Sequence, residues 1–126
     1  MLQRKISFKE AVVRALTRNY CNFNGRASRS EYWWFTLFTI ILEVIISLVF
    51  GTHQTTLGIV GGLAGLALLL PALGLCVRRL HDIGKSGWWV LISLIPTVGA
   101  IILIIWFCKD SDPVPNAYGP VPNLEY

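Results

Sequence analysis

The sequence predicts an all-α integral membrane protein, with about three transmembrane helices preceded by a basic amphipathic interfacial helix. Two observations carry this prediction: charge is scarce, and it is confined to the gaps between long apolar runs. Of 126 residues, 54% are hydrophobic and 14% are charged, whereas a soluble domain carries about a quarter charged residues. Between Phe35 and Val77 the only ionisable side chains are Glu43, His53 and Cys76, and Trp88 to Phe107 contains none. Such runs exceed what a small soluble domain can bury.

The first element, residues 1–22, reads as a basic amphipathic helix. Leu2, Ile6, Val13, Leu16 and Tyr20 fall near one face, with Arg4, Lys9, Arg14 and Arg18 on others. That pattern suits a helix lying on an anionic membrane surface. A cleavable signal peptide is not expected, because no apolar core precedes residue 32. The transmembrane domain then covers residues 23–109, with spans at about 32–50, 57–77 and 88–107. Each span approaches the ~20 apolar residues that cross ~30 Å of hydrocarbon, and only helices satisfy their backbone there. Tyr32, Trp33 and Trp34 open the first span, Trp88 and Trp89 the third, and Trp106 and Phe107 close the third, as aromatic belts do at the headgroup level. Residues 110–126 form an extended tail containing Pro113, Pro115, Pro120 and Pro122, with Asn116-Ala-Tyr-Gly119 as a turn.

Basic residues orient the chain. Arg4, Lys5, Lys9, Arg14, Arg18, Arg26 and Arg29 precede the first span, and none lies between the first and second. Arg78, Arg79 and Lys85 lie between the second and third, and Lys109 follows. The positive-inside rule therefore makes the N-terminus cytoplasmic. Three straight crossings put the tail outside. If the tail folds against the other polar segments it must be cytoplasmic, and a re-entrant turn at Pro96, or an additional crossing, would reconcile the two.

Within the spans, Thr36, Thr39, Glu43 and Ser47 recur at helical spacing and form one polar stripe. Glu43 falls near the bilayer midplane, where a carboxylate must face protein or water, or be protonated. It marks either a proton or cation pathway or an interhelical hydrogen bond. Gly58, Gly61, Gly62 and Gly65 give the second span a small-residue face, suited to close approach of the first span or of a second copy. In the third span Pro96 and Gly99 predict a kink or break.

No catalytic, metal-binding or cofactor motif is present. Cys21, Cys76 and Cys108 are widely spaced, without metal-ligand or redox pairing. Nucleic-acid binding is the rival reading of the basic arm, but a net charge of +4 is spread thinly and membrane attachment accounts for it. Expected partners are anionic lipid headgroups, a homo-oligomer or another membrane protein, with no nucleic acid, no cofactor and no enzymatic activity.

The most distinctive stretches are the polar boundaries, Phe23-Asn-Gly-Arg-Ala-Ser-Arg-Ser-Glu-Tyr-Trp-Trp-Phe35 and Arg78-Arg-Leu-His-Asp-Ile-Gly-Lys-Ser-Gly-Trp-Trp89. With Asn116-Ala-Tyr-Gly-Pro-Val-Pro122, they resemble the signatures of the bacterial inner-membrane family called domain of unknown function 805, over roughly residues 20–122. The resemblance implies a small multi-pass protein of the bacterial cytoplasmic membrane and no established activity. The approach to the tail, Lys109-Asp-Ser-Asp-Pro-Val-Pro115, is more acidic and proline-rich than the family pattern. Placed at one interface, Arg26, Arg29 and Glu31 are expected to meet Arg78, Arg79, His81, Asp82 and Lys85, with Asp82 bonding Arg29 or the amides of Gly84 and Lys85. The cluster is then a structural latch with headgroup contacts, or a site for an anionic lipid or metabolite.

Overall fold

A computed structural model describes residues 2–3, 5–122 and 124–125, the four strand residues by their backbone alone. Arg4, expected on the N-terminal helix, and Asn123 and Tyr126 of the tail lie outside the described residues. In chain order the elements are β1 (Leu2–Gln3), α1 (Phe8–Leu16), α2 (Arg29–Phe50), α3 (Gln54–Asp82), a 3-10 helix (Gly87–Leu94), α4 (Val98–Phe107) and β2 (Leu124–Glu125).

α2 and α3 form an antiparallel hairpin, each long and apolar enough to cross a membrane. At 1.5 Å per residue they extend about 33 and about 43 Å, against ~30 Å of hydrocarbon. Their most apolar windows are only 6% and 17% buried inside the molecule, the reverse of core helices in a soluble domain. α2 starts where the Ser28 hydroxyl accepts from the Glu31 amide, a side-chain N-cap. α3 runs five residues beyond the expected limit at Val77 and carries Arg78–Asp82 with it. It ends in a Schellman motif: the Lys85 amide donates to the Leu80 carbonyl and Gly84 to His81, with Gly84 at φ +81 as that turn demands.

Pro71 lies inside α3 and has no N–H to give the Ala67 carbonyl. The Tyr20 hydroxyl donates to that carbonyl instead. This tie helps hold the N-terminal segment against the hairpin. α1 is shorter than the helix expected over residues 2–20, because Leu2–Gln3 pair antiparallel with Leu124–Glu125. Ala11 and Ala15 are buried while Val13 and Leu16 are exposed, and Phe8 meets Trp34 edge-on with ring centroids 5.9 Å apart. Small residues let α1 approach the hairpin closely, and Ala15 joins Ala27, Phe35 and Leu75 in one core cluster.

The third apolar segment is not the single span expected over 88–107. It breaks at Pro96–Thr97, where Thr97 has φ 65 and ψ −59 and the Val98 amide donates to the Pro96 carbonyl at 2.7 Å, forming a γ-turn. Beyond it the chain doubles back. Trp89 and Trp106, at opposite ends of the segment in sequence, meet edge-on at 5.6 Å. Leu103 and Phe107 of the return arm join Leu80 in one core cluster, and Val90 and Ile92 of the outward arm pack against it. Gly99 permits the crossing, since a Cβ there would sit 1.6 Å from the Ile92 carbonyl oxygen. The arms extend about 16 and about 15 Å, half the hydrocarbon thickness each.

Candidate functional site

The hairpin delivers the tail to the end of the molecule where α2 begins and α3 finishes, and a buried charge network forms there. Its centre is Asp82, whose side chain is 0% exposed. One carboxylate oxygen accepts from Arg26 Nε at 3.0 Å. The other accepts from Arg79 at 2.7 Å and from the Ser111 hydroxyl. The Asp82 carbonyl accepts from the Asp112 amide at 2.9 Å and from Arg26.

Arg26 uses its whole guanidinium. Besides the Asp82 carboxylate and carbonyl, it donates to the carbonyls of Asp112, Val114 and Gly119 at 2.6, 2.9 and 3.2 Å. Its five N–H groups are thereby all spent, three of them on the tail. Arg79 works on the end of α4, donating to the carbonyls of Phe107 and Lys109. Arg29 donates to the next carbonyl, Cys108, and its other arm pairs with Asp110 at 2.7 Å. A helix C-terminus exposes unpaired carbonyls and partial negative charge, so these arginines both cap α4 and anchor it. Arg78 pairs with Glu31 at 3.1 Å, both nearly fully buried, and reaches the Asn22 carbonyl.

His81 donates from Nδ1 to the Gly25 carbonyl at 3.0 Å, a carbonyl being only an acceptor. Tyr118 stacks on its ring at 3.9 Å, with the planes parallel. The Asn116 side chain donates to the His81 carbonyl and accepts from the Tyr118 amide. Asn116 and Gly119 exchange backbone bonds, with Gly119 at φ +127, which forms the turn expected there. The Lys85 ammonium lies 4.4 Å from the Trp106 ring centroid.

Arg26, Arg29, Glu31, Arg78, Arg79, His81, Asp82 and Lys85 thus gather at one end of the molecule. Two expected pairings are corrected. Asp82 bonds Arg26 and Arg79 rather than Arg29, because Arg29 sits on the solvent side of α2 beside Asp110. The amides of Gly84 and Lys85 go to helix carbonyls in the Schellman turn, not to Asp82. Sequence reasoning missed Asn22, Ser111, Asp112 and the tail carbonyls, since a backbone acceptor leaves no residue-type signature. Among the described residues, no three His, Cys, Asp or Glu side chains converge to hold a metal ion.

The polar stripe of α2 lies elsewhere. Thr39, Glu43 and Ser47 line a groove between α2 and α3 of about 530 Å³, opposite Gly61 and Gly65. Thr36 and Thr39 turn their hydroxyls back to the carbonyls of Tyr32 and Thr36. The small-residue face does not pack closely within the chain. Gly58, Gly61, Gly62 and Gly65 are exposed, and a Cβ at any of them would meet nothing within 4 Å.

The profile of a family described as "Protein of unknown function (DUF805)" matches residues 20–120. The chain belongs to this family. The matched stretch contains the whole DUF805 charge network, from Asn22 to Gly119, and leaves α1 outside. Inner membrane protein YhaI of Escherichia coli (strain K12) is 39% identical over 110 residues, covering 87% of this chain and 93% of that protein. Inner membrane protein YhaH of the same strain is 38% identical over 112 residues, covering 86% and 93%. No solved structure matches this DUF805 chain.

Proposed function

We propose that this DUF805 protein is a non-enzymatic, lipid-associated interaction module of the bacterial inner membrane. In this reading α2 and α3 cross the bilayer, residues 87–107 enter and leave it on one side, and both termini are cytoplasmic. The observation that carries it is Arg26 joining α3 to the tail through Asp82, Asp112, Val114 and Gly119. A tail bonded this way lies on the same side as the N-terminus. The charge pattern supports the same topology: all eleven lysines and arginines then fall on the cytoplasmic side, and none in the 51–56 connection.

With Arg26 and Arg79 committed to Asp82 and to backbone carbonyls, the network acts as a latch rather than a receptor for an external anion. Anionic headgroups are left to the exposed Lys5, Lys9 and Arg18 around α1. The turn at 95–98 is exposed on the single chain. Irregular backbone at membrane depth needs protein cover, which favours a homo-oligomer or a membrane-protein partner.

Reporter fusions after Tyr126 and near His53 test the topology. A cytoplasmic signal at Tyr126 with a periplasmic one at His53 is expected, and a periplasmic Tyr126 refutes it. A second reading, a proton or cation pathway, is favoured by one feature: Glu43 faces the α2–α3 groove with no hydrogen-bond or ion-pair partner among the described residues.

A further inference from the structure

A cleft of about 540 Å³ lies between the end of α3 and the 3-10 arm Gly87–Leu94, sharing His81 with the latch and separate from the Glu43 groove. Its walls are apolar, built by Phe23, Leu73, Val77 and Leu91, with His81 and Ser86 as polar groups. That volume and that balance of apolar wall to polar contact are typical of small-molecule sites. Gly87 brings the backbone against this wall: a Cβ there would lie 2.6 Å from Val77 and 3.5 Å from His81 Nε2.

The His81 ring is fixed by the Gly25 carbonyl and the Tyr118 stack, and the residue is 8% exposed. With Nδ1 donating to Gly25, the tautomer protonated there offers Nε2 as an acceptor, and Nε2 has no hydrogen-bond partner among the described residues. Ser86 Oγ accepts the Trp88 amide at 3.4 Å, which leaves its own O–H free to donate. An acceptor and a donor lining the same cleft complement a carboxyl group, whose O–H meets Nε2 while its C=O accepts from Ser86. The apolar walls suit an alkyl chain. No Lys or Arg lines the cleft, so a phosphate headgroup lacks the cations that recognise it.

We propose that this cleft binds a single-chain carboxylic amphiphile, a long-chain fatty acid, with its carboxyl on His81 and Ser86 and its chain along Leu73, Val77 and Leu91. The proposal goes beyond the module reading and is independent of topology, because binding to the full chain in detergent is read without reference to sidedness.

The experiment is saturation binding of radiolabelled palmitic acid to the purified full-length protein in micelles. One-to-one binding is expected, with methyl palmitate and lysophosphatidylcholine competing at least about tenfold more weakly. His81→Asn keeps an amide donor toward Gly25 and deletes Nε2, and Leu91→Trp fills the cleft from a half-exposed position; each should weaken binding about tenfold or more. Leu91→Trp should leave the melting temperature unchanged, so the proposal is testable even if His81→Asn destabilises the fold. Absence of saturable binding, equal competition by methyl palmitate, or full affinity in Leu91→Trp overturns it.

Discussion

Replacing Asp82 by Asn is the most direct perturbation of the latch. The substitution preserves shape and removes one negative charge from between two guanidiniums that are 1% and 0% exposed. Removing one partner of a buried ion pair costs about 3–5 kcal/mol, because the remaining charge stays desolvated and unpaired. Here two cations lose their counter-charge, and the amide NH2 that replaces one carboxylate oxygen cannot accept, so either Arg26 or the Arg79–Ser111 pair loses its side-chain acceptor. Against a stability of about 5–15 kcal/mol for a typical domain, that is a large fraction. Arg29→Ala is the matched control. Its pair with Asp110 is 46% and 85% exposed, and such surface pairs contribute about 0–1 kcal/mol. The assay is denaturant unfolding in detergent, with limited proteolysis between Asp110 and Gly119 as a local readout. Asp82→Asn should lose several kcal/mol and release the tail, whereas Arg29→Ala should lose little and keep it protected. Equal losses from the two variants would refute a buried latch.

Three further outcomes follow from the geometry. Gly99→Ala drives a methyl group into the Ile92 carbonyl and should cost about 1–3 kcal/mol or more, read as lowered melting temperature and abundance. Gly65→Ala meets open space and should leave the single chain as stable or up to about 1 kcal/mol more so. If the glycine face mediates self-association, cross-linked dimer should decline in that variant; unchanged dimer removes the face from the interface. Glu43→Gln separates pathway from packing: lost proton or cation flux at normal abundance supports the second reading, while lowered abundance with no flux in the wild type excludes it.

Much of the candidate site was legible because its members are ionisable residues flanking apolar runs. Arg26, Arg29, Glu31, Arg78, Arg79, His81, Asp82 and Lys85 stand out when charge is otherwise scarce, and the Asn116–Gly119 turn follows from its residue types. Their pairing was not legible. Whether Asp82 bonds Arg26 or Arg29 depends on which side of a helix start each residue occupies, and only two residues of irregular chain, Ala27 and Ser28, separate them. How α1 docks on the hairpin was not legible, because its contact residues Ala11 and Ala15 carry weak hydropathy yet allow close approach.

What the sequence determined by itself is the class of molecule: three apolar runs of about bilayer length, polar boundary segments between them, and a proline-rich tail. Those properties are sums along the chain, and a sum needs no partner. Only the tertiary structure decided the course of the third run. Its composition suits a full crossing as well as a hairpin, and Pro96 signals a break without giving its angle. The turn is fixed by contacts distant in sequence: Gly99 against Ile92, Trp89 against Trp106, and Arg79 holding the end of α4. Those contacts also bring the tail back to Arg26, turning three separate motifs into one network.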